Sequence, residues 1–134
     1  MTSKKDSIPP RVRAAVDAAQ DKQAADVVVL NLEGLGAFTD HFVVCTGFSN
    51  RQVEAICDEV EQRLEQAGTH LMHREGKPSG DWMLLDFGSL IVHVFTERAR
   101  HFYDLERLWR AAARLEFKSP GEGTTLPGAA EAEG

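Results

Sequence analysis

Hydrophobic positions along this chain change period several times, and each change marks a new element. Val12, Ala15, Val16 and Ala19 recur at helical spacing behind Pro9 and Pro10, which suit a first turn, so the spacing predicts a helix over about Pro9–Gln23. Asp26–Leu32 reads DVVVLNL; its valines are stiff at χ1 and predict a strand. Gly34 and Gly36 punctuate a loop, and His41–Thr46 predicts a second strand closed by Gly47. Ser49-Asn50-Arg51-Gln52 fits a capping box, after which Val53, Ile56, Cys57, Val60 and Leu64 form one buried stripe of a second helix, ended by Gly68. His70–Arg74 predicts a short strand and Glu75–Gly80 a polar loop. Trp82–Phe87 and Leu90–Phe95 are two strands joined by Gly88-Ser89, the signature of a tight hairpin. After Thr96 the period is helical again: Phe102, Leu105, Leu108, Trp109 and Ala112 share a face, with a break near Tyr103-Asp104.

The predicted order is α-β-β-α-β-β-β-α. It is an α+β fold with one mixed β-sheet covered by helices on one face. The domain is expected over 9–115. The segment 116–134 is an acidic tail, and its Gly, Pro, Ala, Thr and Glu from Ser119 onward bury too little apolar surface to order it.

The hairpin carries the most information. Pairing Phe87 with Leu90 sets Leu85 opposite Val92, Leu84 opposite His93 and Trp82 opposite Phe95. One face then holds Met83, Leu85, Phe87, Leu90, Val92 and Val94, with no polar member, and should be the core face. The other holds Trp82, Leu84, Asp86, Ile91, His93 and Phe95. That mixture is either covered by the C-terminal helix or offered to a partner, because a Trp beside Leu and a polar pair is the usual make-up of an interface hot spot.

Composition narrows the class. At 134 residues with 43% apolar and 27% charged positions, the chain suits one soluble domain. No run approaches the ~18 apolar residues of a membrane span, and no secretory leader is expected from Met1–Pro10. Cys45 and Cys57 lie among apolar residues, the usage of a reducing compartment, so a cytoplasmic location is expected. The net charge is −6, from 15 Lys+Arg against 21 Asp+Glu, which disfavours naked nucleic acid as a partner and favours a basic protein.

Catalytic patterns are missing. The five histidines have no metal-ligand spacing, no C-x-x-C or H-E-x-x-H occurs, and no metal or cofactor is expected. The alternative is a divergent nucleotidyltransferase-fold enzyme using Ser49, after Gly47-Phe48 at a helix N-terminus, together with Asp86. Such chemistry needs paired carboxylates for two metals. The D-x-E here, Asp104-Leu105-Glu106, falls on a predicted helix, and Asp86 stands alone, so Ser49 reads as a plain cap.

Four ordered blocks carry a family resemblance. Asp40–Gly47 with Ser49 and Arg51-Gln52 resembles the first signature of the Iojap-like ribosomal silencing factors. Glu75-Gly76 with Asp81–Gly88 resembles the second, Ile91–Phe95 the third and Arg100–Trp109 the fourth. His41 stands where the family usually has Tyr, and Ser89 where it has Asp. The resemblance implies a non-enzymatic repressor of translation with a nucleotidyltransferase-like fold that lacks the catalytic acids. It implies binding to the large ribosomal subunit through ribosomal protein L-fourteen, steric exclusion of the small subunit when nutrients are limiting, and a possible homodimer when free. Glu75, Gly76, Asp81, Trp82, Leu84, His93 and Tyr103 are the expected contact residues for L-fourteen. No membrane and no sequence-specific nucleic acid is expected as a partner.

Overall fold

A computed structural model describes residues 8–118. Helix α1 (Pro10–Asp21) is followed by strands β1 (Ala25–Asn31) and β2 (His41–Gly47), helix α2 (Asn50–Gln66), and strands β3 (His73–Gly76), β4 (Trp82–Asp86) and β5 (Leu90–Thr96). Two short helices, α3 (Glu97–Tyr103) and α4 (Leu105–Leu108), lead to a last strand, β6 (Ala113–Phe117). The six strands make one mixed sheet in the order β3-β4-β5-β2-β1-β6; β2 and β5 run parallel and every other neighbouring pair is antiparallel.

The first face is built as its pattern predicts. Val53, Ile56, Cys57, Val60 and Leu64 of α2 and Val12, Ala15, Val16 and Ala19 of α1 are buried on Val27, Val29, Val43, Cys45, Leu85, Val92 and Val94. Ser49 Oγ accepts the Gln52 N–H at 3.0 Å, closing the N-cap. Gln52 reaches back to the Phe48 N–H at 2.7 Å, and its amide also donates to the Lys22 and Gln23 carbonyls, joining the start of α2 to the end of α1. Gly68, at φ +88°, ends α2 in the left-handed conformation that favours glycine.

The hairpin register is as predicted: Trp82 opposite Phe95, Leu84 opposite His93, Leu85 opposite Val92, with the Phe87 N–H donated to the Leu90 carbonyl at 2.8 Å. Asp86 Oδ1 accepts the Gly88 N–H at 2.8 Å and pins the turn.

Four expectations are corrected. Helices cover both faces, not one: α3, α4 and the segment after them lie on the second face, where Val28, Leu30, Phe42, Val44, Phe95, Ala99 and Ala112 form a separate core with Trp109 packed against it. The unbroken apolar runs of β1 and β2, rather than alternation, are the mark of strands covered twice. The long last helix does not exist. Asp104, at φ 48°, breaks it after Tyr103, and Ala113–Phe117 returns as a strand with Val27 opposite Phe117 and Val29 opposite Leu115. Glu116 and Phe117, expected in the tail, therefore belong to the sheet; the remainder of the expected tail, 119–134, lies outside the described residues. Strand β3 starts later than predicted and takes in Glu75 and Gly76, because pairing with β4 begins only where the Met72 N–H meets the Asp86 carbonyl.

Candidate partner-binding surface

Trp82 begins β4, one strand in from the sheet edge. Its side chain points to the second face, as alternation requires, because Met83 points to the first. Cross-strand Phe95 is fully buried, and the two rings stack at 4.9 Å with 27° between planes. His93 is the diagonal neighbour, and the Trp82 Nε1–H donates to its Nδ1 at 3.2 Å. This bond assigns the remaining proton of the neutral ring to Nε2, which has no hydrogen-bond partner among the described residues; the imidazole and Phe42 rings meet edge-on with centroids 4.6 Å apart. Burial pulls the His93 imidazole down to about 4, so it is neutral at pH 7 and free to accept.

Tyr103 arrives from the end of α3, its ring 4.7 Å from that of Trp82. Lys77 Nζ lies 5.7 Å from the Trp82 centroid and 5.6 Å from that of Tyr103, a cation over two π faces. Glu75, Gly76, Lys77, Trp82 and Leu84 line a shallow cavity of about 190 Å³. A Cβ on Gly76 would meet the Met83 sulfur, the flexible end of that side chain, which would have to shift to admit it. Asp81 sits just before Trp82; its carbonyl accepts the Thr96 N–H at 2.9 Å, which anchors the start of β4 to the end of β5.

Of the seven expected contact residues, the structure brings Glu75, Gly76, Trp82 and Leu84 to one cavity, with Tyr103 against Trp82 and Asp81 beside it in the chain. His93 is the correction. At 3% exposure it offers nothing to a partner and instead holds the indole from below. Lys77 was missed. It sits in a loop without periodicity, and its role depends on two rings that only the fold assembles.

The features of the enzyme alternative are used structurally. Ser49 is the α2 cap, and Asn50 Nδ2 donates to the Ser79 carbonyl at 2.8 Å, which ties the β3–β4 loop across that helix start. Asp86 pairs near the Ile91 end of β5, whereas Ser49 follows Gly47, which pairs with Thr96 at the other end. Five residues of strand, about 17 Å, separate the two ends. Among the described residues no group of three His, Cys, Asp or Glu could hold a metal ion, and no helix is long and apolar enough to cross a membrane.

The structure thus presents a mixed sheet covered on both faces, with a half-exposed aromatic cluster around Trp82 and Tyr103 at one margin. The family model described as ribosomal silencing factor during starvation matches residues 5–133. A ribosomal silencing factor from Halalkalibacterium halodurans is 37% identical over 107 residues, which span 80% of this chain and 92% of that protein. A crystal structure of a Chromobacterium violaceum protein superimposes with a TM-score of 0.72 at 36% identity, covering 75% of this chain and 83% of the other. A mouse protein named for mitochondrial assembly of the ribosomal large subunit is 30% identical, over 84% of this chain and 50% of its own length. The chain belongs to the ribosomal silencing factor family, and it is a translation-regulating, ribosome-associated protein by that membership.

Proposed function

We propose that this protein binds the large ribosomal subunit through ribosomal protein L-fourteen and, by occupying that surface, keeps the small subunit from joining. It acts without catalysis and lowers translation when nutrients are limiting. The contact is built on Trp82, Leu84 and Tyr103, with Glu75, Gly76 and Asp81 at its rim. The observation that carries this reading is the posture of Trp82. Its indole N–H is bound inside the domain to His93, its ring rests on Phe95, and the remainder faces the cavity lined by Glu75 and Leu84. A large aromatic held in place before binding loses little rotamer entropy on docking.

The acidic rim suits a basic ribosomal protein. The family description and the large-subunit name of the mouse relative support the same target. The fold is read as a nucleotidyltransferase relative stripped of its metal-binding acids, the free protein as a homodimer, and the location as cytoplasmic. Sedimentation of isolated subunits with and without the protein tests the mechanism. Joined ribosomes should decrease and the protein should travel with large subunits; unchanged joining at saturating protein overturns it. Nucleotide binding at micromolar concentration in the presence of Mg²⁺ would favour the enzyme instead.

A further inference from the structure

The net charge of −6 conceals a segregation. Helix α2 carries Glu54, Asp58, Glu59, Glu61 and Glu65 against Arg51 and Arg63. The stretch from Glu97 to Arg114 carries Arg98, Arg100, Arg107, Arg110 and Arg114 against Glu97, Asp104 and Glu106. Within it, Arg100 and Arg114 both hold Glu106, at 2.9 and 2.6 Å. Hydrogen bonds and charge from these two arginines outweigh burial and keep the Glu106 carboxyl below its usual range. The one half-buried acid of the region is thereby neutralised within the fold. The guanidinium groups of Arg98, Arg107 and Arg110 are exposed and have no partner among the described residues.

Between Arg107 and Arg110 lies a concavity of about 780 Å³, also lined by His101, Phe102, Asp104 and Leu108. Phe102 and Leu108 are each 77% exposed. The Phe102 ring is braced edge-on by Tyr103 at 5.1 Å. A braced, exposed ring between unpaired guanidinium groups has the chemistry of a stacking platform with phosphate clamps. Asp104 is the single acid of the lining, and as the left-handed cap of α3 it has a structural reason to be there.

We propose that this concavity is a second contact surface, which takes single-stranded RNA: a base stacks on Phe102, and Arg107 and Arg110, together with the exposed Arg98 of α3, hold the backbone phosphates. The proposal deepens the ribosome reading, since it gives the same protein an RNA contact beside its protein contact. It requires no sequence specificity, because stacking and phosphate pairing accept every base.

The test uses the full chain and a labelled 12-nucleotide single-stranded RNA of mixed sequence, with fluorescence anisotropy read across a salt series. With three phosphates neutralised, log K should fall with log salt at a slope of about −2. Arg107→Gln with Arg110→Gln should reduce the slope to about −0.7. Phe102→Ala should weaken binding about tenfold without changing the slope. All three side chains are exposed, so melting temperatures should stay at the wild-type value and confirm that the variants fold. No RNA binding at low salt, or equal affinity for an oligoglutamate peptide, overturns the proposal. Capture of L-fourteen by the same variants separates the two readings. RNA binding lost with capture kept supports the second surface, whereas Phe102→Ala abolishing capture with RNA binding intact or absent makes the patch part of the protein contact and overturns it. Failure of wild-type capture while RNA still binds strikes the L-fourteen reading alone.

Discussion

Trp82 has a role in the fold and, under the proposed function, a second at the surface, and the two come apart by substitution. Trp82→Phe keeps a ring on Phe95 but removes the donor to His93, leaving Nδ1 buried and unpaired. Such an orphan costs about 1–3 kcal/mol, which a thermal melt should show. Trp82→Ala removes the ring as well and should weaken L-fourteen binding by about 2 kcal/mol or more, the usual loss for an aromatic hot spot, read by titration calorimetry. The ring on which the proposed contact rests is therefore also packed against the core of the second face. A Trp82→Ala protein that melts low yet binds normally would make the ring purely structural.

His93 gives the residue scale a pH signature. Its folded value, near 4, lies below the ordinary 6.5, so burial favours the neutral form. The unfolded chain takes up the proton first as pH falls. Stability from this group is complete above pH 6.5 and is lost between there and pH 4, by about 3 kcal/mol. His41 is also lowered, chiefly by burial, so it adds to the same decline. The diagnostic is thus the difference from His93→Gln, which keeps an acceptor for Trp82 and should show a shallower decline in chemical denaturation between those pH values.

Among the elements, α2 and β6 differ most in how openly the sequence announces them. Helix α2 has a cap, a stripe and a glycine stop, all local signals. Cys57 lies on that stripe, fully buried, its thiol pushed up to about 12 by burial. Cys57→Ser places a hydroxyl where no water reaches and should cost about 1–3 kcal/mol without changing ribosome contact; an unchanged melting temperature would show that the stripe is not the core. Strand β6 hides behind a run of alanines, yet Ala113, Leu115 and Phe117 alternate with Arg114 and Glu116, a period of two that a helix would not need. Phe117 is buried beside Val27 at the far edge of the sheet. A chain ending at Leu115 should lose about 3 kcal/mol against one ending at Lys118, the scale of removing a buried Phe. Equal denaturation midpoints for the two would mean that β6 contributes nothing to the sheet.

Over the whole molecule, charge is sorted by face rather than averaged. Arg74 on β3 is ringed by Asp58, Glu61 and Glu54 of α2, so a large share of the acidic excess is held on one side. Glu75 and Asp81 are set apart from that cluster, near Trp82. Glu75→Gln with Asp81→Asn should slow association with L-fourteen at low salt by several-fold and have little effect at high salt, since rim charges act mainly through steering. Stopped-flow association rates at two ionic strengths check this. A loss that does not depend on salt would place the acids in the buried centre of the contact.

What the sequence by itself determined is what neighbours in the chain decide. The α2 cap at Ser49, the Gly68 stop, the register that sets Trp82 opposite Phe95, and the sorting of the hairpin into two faces all follow from spacings of a few residues. The four motif blocks also carried the family. Tertiary structure alone decided the rest. Phe117 meets Val27 only after the whole domain has closed. Lys77 finds the rings of Trp82 and Tyr103 from three different elements. Ser49 and Asp86, plausible partners on paper, are driven to opposite ends of the sheet because β4 runs against β5 and β5 runs with β2. His93 is turned inward because α3 and the aromatic cluster cover the face on which it stands. Periodicity reports which side of an element a residue occupies; what waits on that side is set by contacts between segments distant in the chain, to which no local pattern is sensitive.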